Sequence, residues 1–321
     1  MNDWFQEWKR VYKIPSDLTR KSLKLYDEKY HKYIGPVVGK MRLRDVRDIQ
    51  LQSILNEQRG MSFSHVTKLR MVMQELFHQA YRSRLIPFDP SDGLRLPKNV
   101  KGSHRSITEE ERAHILEVAQ YHPSGLWVLL ILYSGLRPGE AAALQWKDID
   151  FDKNEIHVYK AVESGTNTIK TPKTAAGIRD IPMRKELRRV LWREHGEPFS
   201  LLFPTRKGTI RGPSGIWKLW NSFAKELDLH MGALEEDGRI LQHAIAPDLT
   251  TYCLRHTFCT DLQRAGVAIN IAKELMGHSS IAVTADIYTH RDSNVLHENI
   301  SRLDTPTTNQ VLKMGENWWG N

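Results

Sequence analysis

Four short stretches carry side chains suited to chemistry at a phosphate: Arg137 in SGLRPGE, Tyr252 and Arg255 in TYCLRHT, His278 in MGHSS, and Tyr288 in DIYTH. An arginine fork binds a phosphate through two parallel hydrogen bonds, so two arginines aimed at one point form a clamp. Gly135 suits the end of one helix and Pro138 the first turn of the next. Arg137 therefore falls at a helix N-terminus, where free N–H groups and the dipole favour an anion. Glu140, three residues on, is close enough to orient it, although an ordinary Arg–Glu pair at a helix start has the same letters. Tyr252 and Arg255 stand three apart and share one helical face. Gly277 ends a helix and leaves His278 on a turn, after which Ile281, Thr284, Ala285 and Tyr288 fall on one inward stripe. A phenol so placed is either a core residue or a nucleophile beside its phosphate-binding partners. The fourteen residues Gly277 to His290 do not decide between them.

The elements that must position these groups are mainly helical. Helices are expected over Ser22–Tyr33, Arg44–Gln58 (with Val46, Ile49, Ile54 and Leu55 apolar) and Ser64–Ser83. The last carries Val66, Leu69, Val72, Met73, Leu76, Phe77 and Ala80 on one stripe. The run PFDPSDGLRLP, 87–97, stops them, and 98–106 has the composition of a basic linker. Thr108 to Glu111 reads as a capping box opening a helix to about Gln120. LWVLLILY, 126–133, is a buried helix, much too short to span a bilayer. EIHVYKAVE and GIRDIPM alternate like strands, joined by GTNTIKTPKTAAG; helices resume from Met183, interrupted by RKGTIRGPSG and GALEEDGRILQHAIAPD. A fold that is mainly α with a small β-sheet follows: a helical domain over 1–101, a larger domain over 107–303, and a tail, 304–321.

Composition narrows the partner. Of the 321 residues, 40% are hydrophobic and 26% charged, which suits a globular protein with a full core. Two cysteines, Cys253 and Cys259, fit neither a zinc site nor a disulfide framework and are expected as reduced thiols in the cytoplasm. No secretory signal is visible at MNDWFQEWKR. The net charge is +8, and residues 1–101 hold 20 Lys and Arg against 11 Asp and Glu, so the excess lies almost wholly in the first third. A polyanion fits that bias, because each neutralised phosphate releases counterions; a merely basic surface fits it too. Arg42, Arg44, Lys68, Arg70, Lys101 and Arg105 are candidate contacts to duplex DNA, most of them to phosphates.

Arg137 in GLRPGE, Arg255-His256 in YCLRHT, Gly277-His278 in LMGHSS and Tyr288 in IYTH stand in the order and context of the tyrosine recombinase family. From about Ile107 to Leu303 the chain resembles integrases of phages and of integrative and conjugative elements. The resemblance implies a tyrosine-recombinase catalytic domain behind a SAM-like helical domain that binds the core site. Arg137 and Arg255 would hold the scissile phosphate, Glu140 would support Arg137, His278 would take the His/Trp position and Tyr288 would be the nucleophile. Lys173 in TPKT would be the β-hairpin lysine, with Lys170 as the other candidate. The usual His-x-x-Arg reads Tyr252-x-x-Arg255 here. A phenol with an ordinary pKa near 10 is no cation at neutral pH, but it can donate a hydrogen bond.

The implied activity is site-specific recombination for integration or excision of a mobile element. Tyr288 would attack phosphorus to form a 3′-phosphotyrosyl link, and Lys173 would protonate the leaving 5′ oxygen. Arg137, Arg255 and His278 would act as fixed cations on the non-bridging oxygens. Exchange through a Holliday junction follows from the resemblance, as does a homo-tetramer on DNA attachment sites. An excisionase or host DNA-bending protein is a further expected partner, and the apolar tail VLKMGENWW would dock in trans. No cofactor is expected. Asp148, Asp150 and Asp152 lack the pattern of a calcium loop and read as a solvated turn, and HRD at His290–Asp292 carries no kinase reading. Family members often have an arm-binding domain; the chain is either arm-less or begins after one. A type IB topoisomerase would share the side chains, and a DNA-binding accessory protein would share the basic domain.

Overall fold

The computed structural model describes residues 1–16, 18–98, 105–163, 167–172 and 175–288, without the side chains of Asp286 and Tyr288. Lys101, Lys173, linker residues 99–104, the HRD motif and the tail 304–321 lie outside the described residues. The chain divides into two compact units, Met1–Ser103 and His104–Asn321.

In the first unit, α1 (Asn2–Trp8) runs on as a π-helical turn, Lys9–Lys13. It has no counterpart among the expected helices, because its core residues Phe5 and Trp8 are too few to show a period. α2 (Arg20–Lys29) starts at Thr19, whose hydroxyl accepts the Ser22 N–H, and passes through a second π-helical turn, Tyr30–Ile34, into α3 (Gly35–Val38). α4 (Asp48–Asn56) begins later than expected because Leu43–Asp45 forms a 3-10 turn. Ile49, counted on its apolar stripe, is 71% exposed, and Leu51 takes the core position instead. α5 (Phe63–Arg82) buries every residue of its expected stripe. These faces meet around Phe5, stacked on Tyr30 at 3.7 Å between ring centroids.

In the second unit, the Thr108–Glu111 capping box closes as expected and opens α6 (Glu109–Val118). α7 (Gly125–Ser134) buries Trp127 to Leu132 without interruption, each side chain contributing about 1.5–3 kcal/mol. Gly135 then turns the chain left-handed at φ 63°, and the short α8 (Pro138–Ala141) follows. A three-stranded antiparallel sheet has the order β1 (Ile149–Asp150), β2 (Glu155–Val158), β5 (Arg179–Pro182); β3 (Ala161–Val162) and β4 (Ile169–Lys170) form a ribbon between β2 and β5 in sequence. In β5 the alternation buries Arg179 and Ile181 and exposes Asp180 and Pro182.

α9 (Lys185–Arg193) and α10 (Pro213–His230) lead to a hairpin, β6 (Leu234–Glu236) and β7 (Arg239–Gln242), where only an interruption was expected. Its two turn residues, Asp237 and Gly238, both have positive φ, as the favoured tight hairpin turn requires. Three helices complete the unit: α11 (Thr251–Arg264), packed on α7, then α12 (Ile269–Met276) and α13 (Ile281–Tyr288). Asp148 corrects the expectation of a solvated turn. It is 1% exposed, 2.7 Å from Lys160 Nζ, and accepts the Tyr159 hydroxyl. No helix among the described residues is long and apolar enough to cross a membrane.

Candidate active site

The C-terminus of α12 organises the site. A helix leaves its last carbonyl groups without intrahelical partners, and at 275, 276 and 277 each of these oxygens accepts from a different arginine. Arg179 Nε donates to Leu275 O at 2.8 Å, Arg255 Nη2 to Met276 O at 2.5 Å, and Arg137 Nη2 to Gly277 O at 2.8 Å. The three come from β5, α11 and the α7–α8 turn, so residues distant in sequence meet at one helix end. The negative end of the helix dipole favours cations there. Gly277 is required twice. Its φ is +62°, and a Cβ would lie 2.7 Å from Arg179 Nη1.

Glu140 is the carboxylate of this cluster. It accepts the Arg137 N–H at 2.8 Å and Arg137 Nη1 at 2.7 Å, and takes both Nη groups of Arg179 at 2.9 and 3.3 Å. Burial alone would raise its carboxyl, but Arg179, then the charges of Arg137 and Arg255, hold it down to about 2. Arg255 also donates to Gly135 O. Burial, then the Arg137 charge, lowers Arg255 to about 9, so it stays protonated at neutral pH. Three guanidinium groups against one carboxylate leave an excess of positive charge facing inward. Such an excess suits an incoming phosphodiester.

His278 follows directly and is 8% exposed, with Nδ1 2.9 Å from the buried Thr284 hydroxyl. Burial first, then Arg255, Arg137 and Arg179, bring its imidazole down to about 4. It is therefore neutral at pH 7 in the free protein, a hydrogen-bonding group rather than the fixed cation expected. The hydrogen bond also ties the loop after α12 to α13. Tyr288 ends that helix, one turn beyond Thr284, and its side chain lies outside the described residues. Of its expected stripe, Thr284 is buried and Ala285 partly buried, whereas Ile281 is 49% exposed. Ile287 packs against Phe258, Cys259 and Met276 instead.

The structure thus brings together Arg137, Glu140, Arg255 and His278. Tyr252 and Arg137 line one cavity of about 750 Å³ with Trp217 and Trp220. Tyr252 is 47% exposed while Arg255, one turn on, is buried. Lys170 is exposed and paired with Glu163. Arg105, a candidate DNA contact, is engaged within the unit. It forks onto Glu111 at 2.6 and 2.7 Å and reaches Asp248 at 3.0 Å, which raises its pKa. Arg42, Arg44 and Lys68 are exposed, and Arg70 is half-buried, with Nη1 3.4 Å from Leu94 O.

Sequence reading missed Arg179. GIRDIPM marks it only as a strand residue, yet strand alternation puts it on the same face as Ile181, and an inward arginine must find an acceptor. Two His and carboxylate clusters also went unread: His114, Glu117 and His230, and Glu155, His157 and Asp180. Neither includes a residue of the arginine site.

A model of the phage integrase family matches residues 105–294. A tyrosine recombinase XerC-like protein of Caldanaerobacter subterraneus subsp. tengcongensis is 29% identical over 322 residues, covering 90% of this chain and 78% of that protein. The transposase from transposon Tn916 of Enterococcus faecalis is 26% identical, covering 80% of this chain and 66% of its own length. Among solved structures, a Tn1549 transposon integrase in complex with a circular intermediate DNA matches with a TM-score of 0.77 at 20% identity, over 94% of this chain and 98% of that one. A lambda integrase tetramer bound to a Holliday junction matches with a TM-score of 0.62 at 18% identity, over 90% and 78%. At such identities the structural likeness shows a shared fold.

Proposed function

This chain belongs to the phage integrase family and is a tyrosine site-specific recombinase, and from that premise we propose which of its residues break and rejoin duplex DNA. The observation that carries the assignment is the meeting of Arg137, Arg255 and His278 at the end of α12, immediately before the helix that ends in Tyr288. Arg137 and Arg255 bind the non-bridging oxygens of the scissile phosphate, giving up carbonyl acceptors for a charged one. Glu140 holds Arg137 in place. His278 donates a further hydrogen bond, and its neutral state avoids adding a charge to an already cationic pocket until the phosphate arrives. Donors fixed in advance at a site screened from water are worth far more than the same donors in solution.

The Tyr288 phenol oxygen attacks phosphorus and gives up its proton to water. The bond to the 5′ oxygen breaks, and Lys173 supplies the proton which that oxygen needs. One phosphoester link replaces another, so the 3′-phosphotyrosyl intermediate retains the energy for rejoining without ATP. Tyr252 donates from the rim of the Arg137 cavity to a phosphate oxygen. In this reading the first unit binds the core site through Arg42, Arg44 and Lys68. Four copies assemble on paired sites in the cytoplasm, as the lambda integrase tetramer does on its Holliday junction. The tail 304–321 is passed between them.

The test uses nicked duplexes selected from a randomised library by the wild-type protein, with EDTA present. A covalent adduct that survives denaturation is expected, and Tyr288→Phe should form none. Cleavage that requires magnesium, or an adduct that persists in Tyr288→Phe, would overturn the assignment. Strand exchange between two selected sites separates recombination from simple relaxation of supercoils.

A further inference from the structure

Arg179 differs from its two neighbours in how its donors are spent. A guanidinium offers five N–H groups. Those of Arg179 go to Leu275 O, to both carboxylate oxygens of Glu140 and to Gly177 O at 3.4 Å. Arg137 and Arg255 each use two guanidinium donors within the protein. The Arg179 side chain is also only 2% exposed, against 39% for Arg137. Arg179 therefore has almost nothing left for a phosphate. Its bonds instead join three parts of the site. They reach Glu140, which holds Arg137; the carbonyl next to the one that anchors Arg255; and Gly177, in the 3-10 turn just before Arg179's own strand.

We infer that Arg179 is a positioning residue for strand cleavage, acting through Glu140 to set the place and angle of the Arg137 guanidinium at the scissile phosphate. The inference rests on the proposed roles of Arg137 and Tyr288. Its physical content is the fork. Two parallel bonds from Arg179 fix the plane of the Glu140 carboxylate, and one oxygen of that carboxylate receives Arg137 Nη1. A lysine in place of Arg179 would keep the charge and lose the fork, because its ammonium is a point donor without the planar geometry. Glu140 would stay ionised but rotate, and Arg137 would follow it. The guanidinium of Arg179 also adds to the charge bearing on His278, and Arg179→Lys leaves that contribution in place.

The experiment measures single-turnover adduct formation on the library-selected nicked duplex, with DNA affinity and thermal melting measured alongside. Arg179→Lys should bind the duplex as tightly as wild type and melt cooperatively, yet form the adduct on the order of 100-fold more slowly, the scale expected for a misplacement near 1 Å. Glu140→Gln should be slow as well, and Arg179→Lys placed on top of it should cost no more than about threefold further, because both act through one contact. An Arg179→Lys protein that is folded and as fast as wild type overturns the inference. So does a double variant whose losses multiply, which would make Arg179 an independent packing element. A variant that no longer folds would assign Arg179 to the scaffold and overturn it too. Should the wild-type protein itself form no adduct with any library member, it is the assignment of Tyr288 that falls.

Discussion

Two arginine clusters lie in the catalytic unit, and they are balanced differently. Around α6, Arg105 pairs with Glu111 and Asp248, Arg112 with Asp261 and Glu109, and Arg264 with Glu109. Three cations there meet four carboxylates. At the end of α12, Arg137, Arg179 and Arg255 share Glu140 and otherwise lean on carbonyl dipoles. In the first, closed arrangement every guanidinium charge is matched by a carboxylate. In the second, open arrangement the positive charge exceeds the carboxylate charge, and helix-end carbonyls accept guanidinium donors that no carboxylate takes. Counting carboxylates per guanidinium thus marks the cluster in which positive charge is left over, where burial alone does not: Arg255 is 5% exposed, yet belongs to the open cluster.

The largest effect should come from emptying the open cluster. Arg255→Ala or Arg137→Ala removes a preorganised donor from the phosphate, and adduct formation should fall by about 1,000-fold. Arg112→Leu, in the closed cluster, should leave the rate of the folded protein within about threefold of wild type, since no donor at the phosphate is touched. Equal losses for Arg112→Leu and Arg137→Ala, measured on the same nicked duplex, would break the distinction. The stability effects should run the other way. Arg112 is 17% exposed beside an Asp261 that is 21% exposed, and stranding that carboxylate should cost about 2 kcal/mol, between the surface and fully buried cases. Urea unfolding measures it. Arg137→Ala removes a half-exposed charge from a repulsive group and should cost less than about 1 kcal/mol.

What the sequence made legible follows the same line. Arg137 and His278 stand at helix boundaries marked by Gly or Pro and Arg255 in the second turn of α11, but it was the order and context of the four motifs together, not the spacing of any one, that pointed to a site. The α5 stripe and the Thr108–Glu111 box were readable because they are local patterns, the first repeating along one helix and the second closed within one turn. Arg179 was not, because its partner Glu140 lies 39 positions away and nothing local demands an acceptor. The ion pairs of Arg105 were also not visible in the sequence. A basic linker composition suggests a solvated charge, whereas Arg105 forks onto the buried Glu111, six residues on, and reaches Asp248, 143 residues on. Asp148 was misread as solvated because its cation, Lys160, approaches it only after the β2 strand has folded back. Charge balance is a tertiary property, and one-dimensional reading sees only its local half.

A second way to sharpen the comparison is pH. His278 is held at about 4 and Glu140 at about 2, both below their ordinary values. For each, the unfolded chain binds the proton first on acidification, so stability is complete at higher pH and lost as pH falls. The His278 loss runs from about 6.5 down to 4, and the Glu140 loss from about 4.5 down to 2. The closed cluster contributes only carboxylates such as Glu111, lowered first by its hydrogen bond to Arg105, so its loss begins in the ordinary carboxylate range, near 4.5, and not above it. Between pH 7 and 5, then, wild type should lose stability that His278→Asn does not lose. Parallel urea curves for the two proteins over that window would contradict the placement of His278 among the arginines. Phosphate added at pH 7 should raise the melting temperature of wild type and leave that of Arg137→Ala unchanged, because an anion stabilises only the state that binds it.

The smallest expected effect tests how the open cluster reaches the nucleophile. His278 Nδ1 and the fully buried Thr284 hydroxyl, 2.9 Å apart, form the polar link from the arginine site to α13. If the hydroxyl donates to Nδ1, the imidazole proton sits on Nε2 and is free for a phosphate oxygen, so one hydrogen bond sets both the tautomer and the approach of the helix ending in Tyr288. Thr284→Val keeps the shape and removes the bond, leaving Nδ1 without a partner. That should cost about 1–2 kcal/mol of stability and slow adduct formation by about tenfold, a factor equal to 1.4 kcal/mol. Thr284→Ser, which restores the hydroxyl without the methyl group, should recover most of the rate while remaining somewhat less stable. Recovery of rate without full recovery of stability would separate the hydrogen bond from the packing. A valine variant as fast as wild type would mean that α13 is held against the arginines by Ile287 and its apolar neighbours alone.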